Sequence, residues 1–253
     1  MNGCIRRGVL AGVLLVALAS CGRANPPPPG WPLEPGPRPT PSNPASPSTS
    51  GGGLIDLPIA MDTRERITRS AEDVAVCRAT LQASRVEMTP IPDRDAGTGC
   101  TLFGGGTLDV DWGTVARLSP GKPEMTCETA LAFSIWRRQS VEPAAREILG
   151  SEVVQIDLMG AYSCRNVNGA ATGRRSAHAR GNAIDVGGVR LRDGRRVTVL
   201  DHWPEGSDEA RFLRRIRDDA CRLFGTVLSP DYNAAHHNHL HLEVQEADWT
   251  MCR

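Results

Sequence analysis

The chain has 253 residues, 40% of them hydrophobic, with 29 Lys and Arg balanced by 29 Asp and Glu. That suffices for one medium globular domain with a small attached piece. It leaves no basic footprint for nucleic acid, because the Arg-rich stretches at 190–196 and 211–217 are interleaved with Asp and read as solvated faces.

Residues 1–21 read as a signal peptide. Arg6-Arg7 is its positive region, and Gly8–Ala19 is an apolar run too short to span a bilayer. Leu18-Ala19-Ser20-Cys21 resembles a bacterial lipobox. Cleavage before Cys21 exposes a thiol for diacylglycerol and an amine for a further acyl chain, and several chains anchor stably where one is marginal. An ordinary secretory signal with a stray cysteine is the alternative; the placing of Leu18 and the small residues favours lipidation of Cys21. No Asp follows Cys21, which by resemblance to diderm lipoproteins favours the outer membrane, with the chain facing the periplasm.

Residues 22–53 read as a linker. Eleven of the 19 prolines fall between Pro26 and Pro47, followed by a Ser/Gly run. Such a stretch cannot bury a core and favours polyproline II; at ~3.1 Å per residue the 29 residues from 25 to 53 reach at most ~90 Å.

Residues 54–126 form the first part of the globular region. The spacing predicts a helix over Ser70–Ala83, capped by Ser70, with Val74, Cys77 and Leu81 on one face. Gly104-Gly105-Gly106 lacks the Lys-Ser/Thr of a nucleotide loop and reads as a turn before a strand at Leu108–Val110.

Residues 127–253 carry the clearer signal. Helices are expected over Cys127–Arg138 and Glu142–Leu149, the second with Pro143 in its first turn and Gly150 as its stop. Val154, Ile156 and Leu158 alternate as a strand. Val189 and Leu191, a turn at Asp193-Gly194, and Val197 and Val199 predict a hairpin. Ser207 opens a helix with a stripe of Phe212, Leu213, Ile216, Ala220 and Leu223, ending at Gly225. The sum is an α+β fold with helices packed on a mostly antiparallel sheet.

Cys4 and Cys21 belong to the leader, which leaves Cys77, Cys100, Cys127, Cys164, Cys221 and Cys252. An even set in an exported chain, with no C-x-x-C pair, points to disulfides before metal. The connectivity stays open; the working assignment joins Cys77 to Cys100, Cys127 to Cys164 and Cys221 to Cys252.

Two stretches carry the chemistry: Ser176-Ala177-His178-Ala179-Arg180-Gly181-Asn182-Ala183-Ile184-Asp185 and His239-Leu240-His241-Leu242-Glu243. On a strand, His239 and His241 share one face while Leu240, Leu242 and Val244 anchor the other. One histidine can bind metal while its neighbour moves protons. A loop carrying His178 and a strand carrying Asp185 can point into the same cleft. Two or three imidazoles and a carboxylate are the usual ligand types of a catalytic zinc. A lone H-x-H is more often a polar strand face.

The pattern S-x-H-x-x-G-x-A-x-D followed by H-x-H resembles the zinc peptidases grouped as lysostaphin, D-Ala-D-Ala metallopeptidases and sonic hedgehog. More narrowly, the region from about Cys127 to Cys252 resembles the bacterial extensin-like C-terminal domain. The matching segments include Gly160–Arg165, Ala220–Phe224 and Ser229-Pro230-Asp231-Tyr232-Asn233. The resemblance implies a zinc peptidase fold with His178, Asp185 and His241 as Zn2+ ligands and His239 as general base. It also matches Arg165 to an upstream Arg that holds a substrate carboxylate or the oxyanion; a structural ion pair is the alternative. Ser176 either hydrogen-bonds a ligand or a substrate carbonyl, or turns the loop. His236 and His237 either support the ligand residues from outside or, the favoured reading, form a polar loop; His202 reads as surface, and Gly181 and Asn182 as loop formers. Asn238 stands where many relatives carry Asp.

The expected function is a monomeric, envelope-located zinc peptidase acting on peptidoglycan stem peptides or crosslinks. The alternative is a non-catalytic, zinc-stabilised wall-binding or scaffolding lipoprotein, and the ligand set with His239 favours the enzyme. A Pro-rich structural protein is excluded by the short Pro-rich part and the globular remainder.

Overall fold

The computed structural model describes residues 53–204, 206–244 and 249–253. The expected signal segment, Cys21 and all of the expected linker before Gly53 lie outside them.

Helices α1 (Thr63–Ala71) and α2 (Val74–Ala83) open the described chain. A single helix from Ser70 was expected. Instead Asp73 is extended and starts α2 afresh, accepting from the N–H groups of Ala75 and Val76 at 2.7 and 3.4 Å. Ser70 lies near the end of α1, where its hydroxyl donates to the Arg66 carbonyl. Cys77 and Leu81 are buried as the spacing predicts, and Val74 is exposed.

Next come β1 (Val86–Pro90), β2 (Arg94–Asp95), β3 (Thr101–Leu102), β4 (Gly105–Asp111), β5 (Arg117–Ser119) and β6 (Glu124–Thr126). Strands β1, β4 and β6 form an antiparallel sheet in that order, and β2 pairs with β3. The strand expected at Leu108–Val110 is part of β4. Gly105 and Gly106 lie inside it rather than in a preceding turn, because the close approach of β1 and β6 leaves no room for side chains there.

Helix α3 (Cys127–Trp136) is capped by Thr126, whose hydroxyl accepts from the Thr129 N–H, and is buried on every side. The two helices expected here form one helical path. It continues through a π-type stretch (Arg137–Val141), α4 (Glu142–Ala144) and a second π-type stretch (Ala145–Leu149) to Gly150. Pro143 has no N–H to donate, and the wider turns carry the path past it.

The main sheet follows: β7 (Val153–Gly160), β8 (Ala183–Leu191), β9 (Arg196–Thr198), then helices α5 (Val199–His202) and α6 (Asp208–Ala220), then β10 (Thr226–Leu228), β11 (Leu240–Glu243) and β12 (Met251–Cys252). Its order is β12-β10-β11-β8-β7-β5, with β9 on β8. The central pairings are antiparallel, and β10–β12 and β5–β7 are parallel. The expected hairpin is β8–β9, with Val189 opposite Val197. A bulge after Val153 puts Val153 rather than Val154 in the core beside Ile156 and Leu158. Helix α6 is capped by Ser207 and buries Phe212, Leu213, Ile216 and Ala220.

The fold is α+β, with helices packed on mixed, mostly antiparallel sheets around one continuous apolar cluster. Among the described residues, no helix is long and apolar enough to cross a membrane.

All six expected cysteines pair. Cys221–Cys252 is as assigned from the sequence, but the other two bonds are Cys77–Cys127 and Cys100–Cys164. Packing of α2 on α3 brings Cys77 to the start of α3, 6.2 Å between Cα atoms, and Cys100, just before β3, lies 5.4 Å from Cys164. Chain order misleads here because both bonds join residues 54–126 to residues 127–253.

A buried ionic node fastens the same halves. Asp111 accepts from Arg138 and faces Arg137 at 3.6 Å, and Arg138 also donates to the Ser84 carbonyl and Asp56, both at 2.7 Å.

Candidate metal centre

Three elements converge on one carboxylate. Asp185 on β8 lies directly opposite His241 on β11 and opposite Gly160 on β7. A Cβ at position 160 would lie 3.2 Å from Asp185 Oδ2, so the glycine leaves room for the carboxylate. Leu240, Leu242 and Val244 are buried on the far face of β11, which fixes its register.

His178 comes from a short 3-10 turn, Ala177–Arg180. Ser176 Oγ accepts from the His178 N–H at 3.4 Å and shapes the start of that turn. Gly181 ends it at φ 70°, a conformation that disfavours a side chain. The Gly181 carbonyl accepts from the Thr126 N–H and the Thr129 hydroxyl, both at 3.0 Å, which ties the loop to the start of α3.

The donor atoms face one another. His178 Nε2 is 3.2 Å from Asp185 Oδ1 and 3.2 Å from His241 Nδ1, and His241 Nδ1 is 2.9 Å from Asp185 Oδ1. All three residues are buried. His178 Nδ1–H donates to the Ala161 carbonyl at 2.7 Å, so its Nε2 lone pair points inward. His241 Nε2 is turned to Glu243 Oε2 at 3.1 Å, so its Nδ1 points inward. Such outer partners fix the tautomer and orientation of metal-binding imidazoles. His178, Asp185 and His241 could hold a metal ion, with one ligand atom each and all within 4.8 Å of one another.

Burial works to raise the Asp185 carboxyl, but hydrogen bonds from His178 and His241 outweigh it and hold it far below the usual carboxylate range. Burial works to lower His241, yet Asp185 and Glu243 push it up to about 9. A proton on His241 balances Asp185 and Glu243, and a metal ion held here would take that proton's place.

His239 stands at the entrance, its Nε2 3.6 Å from Asp185 Oδ1. Its Nδ1–H donates to Asn238 Oδ1 at 2.9 Å, so Asn238 orients the ring. Burial lowers the His239 pKa and favours the neutral imidazole. Arg165 Nη2 lies 3.5 Å from Asp185 Oδ2 and remains partly exposed.

Two further residues contribute: Glu243, given no role from the sequence, and His236, for which the less favoured supporting reading fits better than the polar loop. His236, read as part of a polar loop, is buried with its ring against His239, His241 and Tyr232, and burial and the nearby His241 lower its pKa to about 4. Glu243 shares the strand face of His239 and His241, and that two-residue spacing was the available signal. His237 is exposed and His202 hydrogen-bonds within its own turn, so neither joins the cluster.

No curated protein and no solved structure matches the chain. A family model described as the extensin-like protein C-terminus matches residues 75–253, starting within α2 and so spanning both disulfides and the Asp111 ion pairs that join the two halves. The chain therefore belongs to the extensin-like protein C-terminus family.

Proposed function

We propose that the chain is a zinc peptidase that hydrolyses peptidoglycan stem peptides or crosslinks, anchored through lipidated Cys21 and facing the periplasm. The observation that carries this reading is the inward convergence of His178 Nε2, Asp185 Oδ1 and His241 Nδ1 at 2.9–3.2 Å, with His239 beside them. Two imidazoles and a carboxylate suit zinc, whose bonds of about 2.0–2.1 Å place tetrahedral donors roughly 3.3 Å apart. Three protein ligands leave one position for water. Bound zinc supplies Lewis-acid activation of that water near neutral pH.

The chain's own residues do the rest. His239, held neutral and oriented by Asn238, takes a proton from the attacking water and returns it to the leaving amine. Arg165 sits where it can hold the developing oxyanion or a substrate carboxylate. Glu243 and the Ala161 carbonyl keep the two ligand imidazoles aimed. The family resemblance to D-Ala-D-Ala metallopeptidases points to an amide that involves a D-residue.

The test is digestion of crosslinked muropeptides by the zinc-loaded chain, read by mass spectrometry. New amine and carboxyl termini, abolished by a chelator and restored by zinc, are expected. Zinc binding with no cleavage of any muropeptide would replace the enzyme with the wall-binding alternative.

A further inference from the structure

The groove over the cluster, about 560 Å³, extends well beyond the reacting centre. One wall is the loop of residues 165–175; another part carries Tyr232 and Trp249, 43% and 54% exposed. The loop is built as a clasp. Asn166 bridges Arg175, the Ser176 N–H donates to the Arg165 carbonyl at 3.1 Å, and the Val167 N–H donates to the Arg174 carbonyl at 3.0 Å. The Cys100–Cys164 bond ties down its start, and its end passes directly into the turn that bears His178. The backbone of residues 174 and 175 is thereby fixed relative to the cluster.

Charge on this wall is unbalanced. The Arg175 guanidinium donates to the Thr98 carbonyl at 2.8 Å and to Asn166 Oδ1 at 3.1 Å, both neutral acceptors. Arg174 is exposed, and neither arginine has a carboxylate partner among the described residues. Several arginines elsewhere on the surface are paired, as in Arg192–Glu152, Arg195–Asp193 and Arg215–Asp219, while Arg222 donates to the neutral Ile59 carbonyl. Glu243 and Asp185 lie at the cluster end of the groove, whereas Arg174 and Arg175 line its loop wall with no carboxylate partner among the described residues, which suits that wall to an anionic ligand.

We infer that Arg174 and Arg175 form a carboxylate-recognition site that selects peptides bearing free carboxylates beside the amide to be cut; this rests on the peptidase reading above. The planar guanidinium fork matches a carboxylate. Arg175 keeps its orientation through its two neutral acceptors, and the rings of Tyr232 and Trp249 cover the apolar part of the peptide. Amidation of such a carboxylate removes the charge and keeps the shape, so amidated peptides are the poorer ligands.

The experiment measures binding by calorimetry to the full chain stripped of metal with a chelator, so that nothing is cut. The probes are a crosslinked muropeptide with free carboxylates and its carboxamide counterpart. The free form is expected to bind about tenfold tighter or better, an advantage that shrinks with salt. Arg174→Gln, whose side chain holds no other element in place, should reduce the ratio, and Arg174→Gln with Arg175→Gln should bring it near one. Equal binding of the two forms, binding of neither, or an unchanged preference in Arg174→Gln overturns the inference. Tighter binding of an oligomeric glycerol phosphate than of the free-carboxylate muropeptide also overturns it, by assigning the arginines to phosphate. Turnover by the zinc-loaded chain is scored separately: carboxylate preference without cleavage keeps the recognition site and sinks the peptidase reading.

Discussion

Replacing Cys100 and Cys164 together by serine removes one cross-link and leaves no lone thiol. The bond closes a loop with a sequence separation of 64. Constraining a loop of that length in the unfolded chain is worth about 4 kcal/mol at 25 °C. In a domain of this size each kcal/mol moves the melting temperature by roughly 2–4 °C, so a fall of about 8–16 °C is expected. The consequence reaches the site, because Cys164 precedes Arg165 and the Ser163 N–H donates to the His178 carbonyl at 3.0 Å. Muropeptide cleavage should therefore fall at temperatures where the variant is still folded. Guanidinium unfolding of the oxidised proteins measures the first effect, and a non-reducing peptide map checks the connectivity. A loss below about 1 kcal/mol, or a map joining Cys77 to Cys100, would refute the reasoning.

Asp111→Asn leaves two guanidinium groups buried without their carboxylate, and a loss of about 3–5 kcal/mol is expected in the same unfolding assay; a change within experimental error would mean that Arg137 and Arg138 find other partners. Burial raises the Glu142 carboxyl above its usual range, so the folded chain holds that proton more tightly and stability falls as pH rises from about 4 towards the raised pKa. Glu142→Gln should therefore gain on wild type as pH rises above about 4, and parallel stability curves would contradict this. Cys21→Ala should move the protein from the membrane to the soluble fraction or stall its processing. Membrane partition that survives a salt wash would exclude the lipid anchor.

Much of the fold was legible where side-chain period and caps agree. Helix α6 follows from Ser207 and the Phe212–Ala220 stripe, and the β8–β9 hairpin from alternation around Asp193-Gly194. The site was legible because His178, Asp185, His239 and His241 occur at spacings that fit a loop and two strands. What escaped depends on three-dimensional packing. The disulfide partners follow from α2 lying on α3 and from the seat of Cys100 beside Cys164, which no local spacing records. Asp73 outcompetes Ser70 as a cap because its carboxylate reaches two N–H groups. His236 enters the cluster through the fold of its loop, so its sequence neighbours Ala235 and His237 gave no sign of burial.

The most direct test of the proposed metal centre is elemental analysis of purified His241→Ala and His239→Ala beside their turnover of a crosslinked muropeptide. His241→Ala deletes an inward-facing donor, so both zinc content and cleavage should collapse. His239→Ala leaves His178, Asp185 and His241 in place, so it should keep nearly the wild-type zinc content while cleavage falls by ~10²–10⁴-fold. Loss of zinc from His239→Ala as complete as from His241→Ala would contradict the assignment and make His239 a ligand.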